Sequence, residues 1–84
     1  MQTKLYVGGL PYSTTQDELK GHFAAAGDVV SADIVIDRMT NRSRGFGFVV
    51  MGSADEANKA IEMFHDKDFG GRRLTVSIAR PKEN

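Results

Sequence analysis

The sequence predicts an α+β fold of order β-α-β-β-α-β, a four-stranded antiparallel sheet with two helices on one face. Two helix-start signatures, each leading into a helix-period apolar pattern, predict the helices. Four runs of alternating apolar and polar residues, bounded by Gly, Pro and Ser, predict the strands. At 84 residues the chain makes one domain, read over 1–84 with its core across about 3–80.

Lys4 to Gly8 places Leu5 and Val7 on one side of the first strand, Lys4 and Tyr6 on the other. Leu10-Pro11-Tyr12 is a loop. Thr15-Gln16-Asp17-Glu18 spells a capping box, in which the Thr15 hydroxyl and the Glu18 carboxylate satisfy orphan amides. The helix that follows aligns Leu19, Phe23 and Ala26, and Gly27 is expected to stop it. Val30 to Ile36 reads as the second strand, with Val30, Ala32, Ile34 and Ile36 on one side. Residues 37–43 form a polar loop, and Gly45 to Met51 the third strand.

Ser53-Ala54-Asp55-Glu56 spells a second capping box. Ala57, Ala60, Ile61 and Phe64 stand at i, i+3, i+4 and i+7 of an amphipathic helix. Residues 65–71 are a connection turning at Gly70-Gly71. In the last strand Leu74, Val76 and Ile78 alternate with Thr75, Ser77 and Ala79, and Pro81 ends it. Right-handed crossovers place both helices on the same face of this ferredoxin-like arrangement, and the other face is left open.

The aromatic residues of the third strand must take one face or the other. Phe46, Phe48 and Val50 share one; Gly45, Gly47, Val49 and Met51 share the other. An isolated strand would bury its phenylalanines. Here the other strands already offer aliphatic faces to the helices: Leu5 and Val7, Ile34 and Ile36, Leu74, Val76 and Ile78. Phe23 and Phe64 bring bulk from the helices. Gly45 and Gly47 are expected to let a helix approach closely. Tyr6, Phe46 and Phe48 then go to the open face, beside Lys4, Asp33, Val35, Thr75 and Ser77. Exposed aromatics gathered in one patch mark an interaction surface.

Net charge is zero, from 11 basic and 11 acidic residues, but the charges are unevenly spread. Asp17, Glu18, Asp55, Glu56 and Glu62 lie on the helical segments. Arg38, Arg42 and Arg44 follow one another with no acid between, and Arg72, Arg73, Arg80 and Lys82 gather near the end of the chain. Without cysteine there is no disulfide or thiolate metal site. His22 and His65 fall on different predicted helices, where both read as surface residues, so no metal or other cofactor is expected. No phosphate-binding G-x-x-x-x-G-K-[ST] loop and no catalytic triad pattern occurs, and no enzymatic activity or small-molecule substrate is expected. With no apolar run of roughly 18 residues, no membrane partner is expected. Met1-Gln2-Thr3-Lys4 lacks the apolar stretch of a secretion signal. A cytoplasmic protein is expected, or a nuclear one in a eukaryote.

Arg44-Gly45-Phe46-Gly47-Phe48-Val49-Val50-Met51 resembles the signature of the RNA recognition motif family, [KR]-G-[FY]-[GA]-F-V-x-[FY], departing only at Met51. Leu5-Tyr6-Val7-Gly8-Gly9-Leu10 resembles that family's shorter motif, with Gly9 where Asn is common. The likeness extends over about residues 3–82 and looks most like small single-domain bacterial RNA-binding proteins and the domain of glycine-rich RNA-binding proteins. It implies a monomer that binds short single-stranded RNA as a chaperone or post-transcriptional regulator. Tyr6 and Phe48 would each stack a base, Phe46 would pack between riboses, and Arg44 would pair with a phosphate. Lys4, Arg38 and Arg42 would flank the strand, Thr75 and Ser77 would read base edges, and Arg80 and Lys82 would line the exit. Single-stranded DNA is a second candidate ligand, because stacking ignores the 2′-hydroxyl. The rival reading is a protein-interaction module of the same fold that binds a peptide or protein partner.

Overall fold

A computed structural model describes residues 3–79. The elements are β1 (Lys4–Gly8), α1 (Gln16–Phe23), β2 (Val29–Asp37), β3 (Arg42–Met51), α2 (Ala54–Phe64), β4 (Asp68–Phe69), β5 (Arg72–Arg73) and β6 (Thr75–Ile78). The main sheet runs β2-β3-β1-β6 with every neighbouring pair antiparallel. The two strands that carry the aromatic motifs, β1 and β3, are therefore its centre. This is the predicted ferredoxin-like α+β fold.

Both helix starts follow from capping chemistry. The Glu18 amide donates to Thr15 Oγ1 at 3.2 Å, and the Thr15 amide donates to Glu18 Oε1 at 3.1 Å, closing the capping box. Ser53 caps α2 from one side only. The Glu56 amide donates to Ser53 Oγ, but the Glu56 carboxylate accepts from the Ser53 hydroxyl and from the Asp28 amide. These bonds, the Asp28 amide first and the Ser53 hydroxyl second, hold the Glu56 carboxyl below its ordinary range. Glu56 thus pins the turn before β2 to the start of α2. Helix α1 ends at Phe23, earlier than Gly27, and Ala26 is buried from the turn beyond it.

One hydrophobic core lies between the helices and one face of the sheet. Leu5, Val7, Val49 and Met51 supply its floor, with Ile34, Leu74 and Val76 alongside; Leu19, Phe23, Ala57, Ala60 and Phe64 close it from above. Burying each large aliphatic or aromatic side chain contributes roughly 1.5–3 kcal/mol. Met51, the one departure from the signature, is 1% exposed, so it concerns packing.

Two expectations for β2 fail. Val29 pairs with Met51 but Ser31 pairs with Val50, so Val30 is an extra residue in a β-bulge and stands exposed. Farther along, Ile34 pairs with Gly47 and Ile36 with Ser43; Val35 alone faces three residues, Arg44 to Phe46. Ile36 lies beyond this wider irregularity, near the end of β2, and is 45% exposed. A period-two reading assumes unbroken register, and a one-residue bulge such as that at Val30 reverses the side-chain phase across it.

The glycines of β3 serve other ends than the predicted helix approach. Gly45 sits in the bulge at φ +83°, a conformation that a side chain disfavours. At Gly47 a Cβ would collide with the backbone carbonyl of Asp33 on β2. The glycine there lets two strands, not a strand and a helix, come together.

Two smaller features lie past α2. Gly70 and Gly71, both at positive φ, make the predicted turn, and it closes a short β4–β5 hairpin that starts in the expected connection and runs past it to Arg73. His65 is not on the helix but caps its C-terminus, and its Nδ1 accepts a hydrogen bond from the Val76 amide at 3.1 Å. It satisfies a donor on the edge strand β6. His22 is likewise no plain surface histidine. Its ring lies 4.3 Å from Phe64 and 4.5 Å from Phe69, centroid to centroid, and burial there lowers its pKa.

Candidate nucleic-acid interface

Antiparallel register brings the aromatics of two distant sequence motifs together. Tyr6 on β1 stands directly opposite Phe48 on β3 and opposite Ser77 on β6; Gly8 stands opposite Phe46 and Thr75. With no side chain at Gly8, the Tyr6 ring lies across it: a Cβ there would come within 2.7 Å of the Tyr6 hydroxyl. The small residue of the first motif thus clears the space that the aromatic of the same motif occupies.

The three rings form one cluster on the helix-free face. Tyr6 lies 5.8 Å from Phe46 and 6.1 Å from Phe48, and Phe46 lies 6.3 Å from Phe48. The planes are inclined by 33°, 67° and 90°. None stacks flat on another, so ring faces stay available to a planar ligand. All three residues are half-buried, held at the root by the sheet and open above it. The Lys4 ammonium sits 4.8 Å from the Phe48 centroid, a cation–π contact.

Around the cluster, Thr75 and Ser77 are exposed on β6, and Asp33 is exposed on β2 opposite Phe48. Arg44, Arg42 and Arg38 are exposed toward the β2–β3 turn. Tyr6, Phe46, Phe48, Lys4, Thr75 and Ser77 thus share the sheet face, and the arginines form its rim at one end. Arg80 and Lys82 lie outside the described residues.

Sequence reasoning passed over Tyr12, which stands exposed in the β1–α1 loop with the Arg72 guanidinium 5.6 Å over its ring. The available signal was an aromatic residue in a loop, between Pro11 and Ser13. Among the described residues no group of three or more His, Asp and Glu side chains is placed to hold a metal ion.

Comparison with known proteins agrees with this geometry. The model of the RNA recognition motif family matches residues 5–75. The chain is 48% identical to the chloroplastic 28 kDa ribonucleoprotein of Spinacia oleracea, over 96% of this chain and 35% of that protein. It spans about a quarter to a third of the length of such curated relatives. The crystal structure of RNA Binding Protein PG1 superposes with a TM-score of 0.90 at 41% identity, covering 98% of this chain and 99% of that one. The Sxl-lethal protein/RNA complex superposes with a TM-score of 0.92 at 34% identity, covering 99% of this chain and 50% of that one.

These relatives correct one expectation. The spinach protein is chloroplastic and a glycine-rich RNA-binding protein of Arabidopsis thaliana is mitochondrial, which points to an organelle and not to the cytoplasm. The composition that suggested the cytoplasm, without cysteine or a secretion signal, does not distinguish these compartments. On the match across 5–75 and the shared architecture, the chain belongs to the RNA recognition motif family.

Proposed function

We propose that the chain is an RNA-binding module, not an enzyme, that holds a short single strand of RNA across the open face of its sheet. The observation that carries this is the Tyr6, Phe46 and Phe48 cluster, three inclined rings with free faces on the side away from the helices. Each base stacked on an aromatic is worth roughly 1–3 kcal/mol, which lets a domain of zero net charge hold an anionic strand. Tyr6 and Phe48 each stack a base, and Phe46 packs against the riboses between them. Lys4 and Arg44 meet phosphates on either side, with Arg38 and Arg42 flanking. Thr75 and Ser77 offer hydroxyls to base edges, the way unpaired bases are told apart. Family membership and relatives named as ribonucleoproteins or RNA-binding proteins support this reading. So does the RNA complex among the similar structures. The protein acts as a monomer, as an RNA chaperone or post-transcriptional regulator.

The rival, a peptide bound on the helices, has little to hold it. Asp17, Glu18, Asp55 and Glu62 are exposed on α1 and α2, and Met63 is the large apolar side chain there that stands exposed. Binding of short RNA measured with the parent and with Phe48→Ala tests the proposal. Loss of roughly 1–3 kcal/mol of affinity with unfolding unchanged supports it. Equal affinity of the two proteins refutes it.

A further inference from the structure

Pairing register sets Asp33, Phe48, Tyr6 and Ser77 in one row across the main sheet, on β2, β3, β1 and β6. A base stacked on Phe48 therefore has the Tyr6 ring on one flank and the Asp33 side chain on the other. Side chains directly opposite on one sheet face stand roughly 4.5–5.5 Å apart at Cβ. The Asp33 carboxylate is thus within reach of the edge of that base.

An acid here needs a reason, because the strand it faces is itself anionic. Asp33 is exposed, and among the described residues its carboxylate takes part in no hydrogen bond or ion pair. It is neither a cap nor half of a salt bridge, the roles that Glu18, Glu56 and Asp66 fill elsewhere. An ionised carboxylate only accepts hydrogen bonds, at two oxygens side by side. The ligand edge that suits it presents two donors side by side. Among the RNA bases guanine alone does so, through N1–H and the 2-amino group. Adenine and cytosine set one amino donor beside a ring-nitrogen acceptor. Uracil sets one N–H between two carbonyls, which repel the carboxylate.

We propose that Asp33 is a specificity-determining residue, whose carboxylate accepts from N1–H and the 2-amino group of a guanine stacked on Phe48 and so selects guanine at that position of the strand. The two bonds are charge-assisted and parallel, which makes them both strong and directional. The hydroxyls of Thr75 and Ser77 can donate or accept, so they discriminate less. A charge on an edge strand also deters pairing between sheets, but that role brings no base preference. The inference rests on the platform reading above and adds a base preference to it.

Uridine pentanucleotides carrying guanosine, adenosine or inosine at one position in turn provide the probe, bound to the parent, Asp33→Ala and Phe48→Ala. Adenosine is the comparator because it stacks as a purine without the paired donors. At the position that meets Phe48, guanosine is expected to bind the parent roughly 5- to 150-fold tighter than adenosine, the range of a bidentate side-chain–base pair. Inosine, which keeps N1–H and lacks the 2-amino group, is expected to fall between them. Asp33→Ala is expected to hold the three purines alike, and all-uridine strands no worse than the parent does. Asp33 is exposed, so the variant folds, and thermal unfolding verifies this. If the parent shows no preference for guanosine, or Asp33→Ala keeps that preference, selection by Asp33 is refuted. The platform stands if Phe48→Ala still weakens every strand. If Phe48→Ala is also silent, both are refuted.

Discussion

Phe23 and Phe64 lie on one side of the sheet; Phe46 and Phe48 lie on the other. Phe23 is 0% and Phe64 7% exposed, with ring centroids 4.8 Å apart under the helices. Phe46 and Phe48 are half-exposed, and their rings are perpendicular. The same side chain is structural on one face and available for binding on the other. What separates the two is the company around them. The core face is filled by the aliphatic residues of four strands, while the open face sets phenylalanine among a tyrosine, a lysine, an aspartate and two hydroxyls. The difference teaches that a phenylalanine in a strand is read from its neighbours' faces, not from its own hydrophobicity.

The largest effect should come from breaking the core side. Phe23→Ala is expected to cost about 3–5 kcal/mol of stability in denaturant unfolding, because it empties a closed site. Phe48→Ala should leave that unfolding nearly unchanged while costing the 1–3 kcal/mol of binding described above. A Phe48→Ala protein as unstable as Phe23→Ala would erase the distinction between the faces.

A subtler effect concerns the rim. Arg44→Ala is expected to reduce the slope of log affinity against log salt by about 0.7, the share of one phosphate contact on a single strand. An unchanged slope would remove Arg44 from the interface.

The smallest effect lies at the margin of the core. His22 packs between Phe64 and Phe69, and burial lowers its pKa from 6.5. A lowered folded-state pKa means that the unfolded chain binds the proton more readily. The contribution is therefore full above 6.5 and is lost as pH falls from there through the folded-state value. Glu56, lowered from 4.5, adds its own loss only at lower pH. His22→Phe should flatten the decline in stability as pH falls below about 6.5. An identical decline in parent and variant would contradict it.

Much of this was legible in the sequence, for identifiable reasons. The capping residues named both helix starts, because Thr15 and Ser53 satisfy local amides whatever the tertiary fold. The destination of Phe46 and Phe48 was legible because Leu5, Val7, Leu74 and Val76 left no doubt about the core faces of their strands. The alternation of β2 misplaces Val30 because a bulge is a property of two strands paired, and neither strand records it alone. Gly45, whose small size suggests room for a helix, marks the bulge itself. The β4–β5 hairpin is too short to show a period. Tyr12 was overlooked because its setting depends on Arg72, distant in the sequence.

The most direct test of the central claim is a titration of the protein with short single-stranded RNA, followed by backbone amide chemical shifts. The perturbed amides are expected to lie on β1 and β3 around Tyr6, Phe46 and Phe48, with smaller changes at Thr75 and Ser77 and none across α1 and α2. Shifts confined to the helices, with Tyr6, Phe46 and Phe48 unmoved, would contradict it.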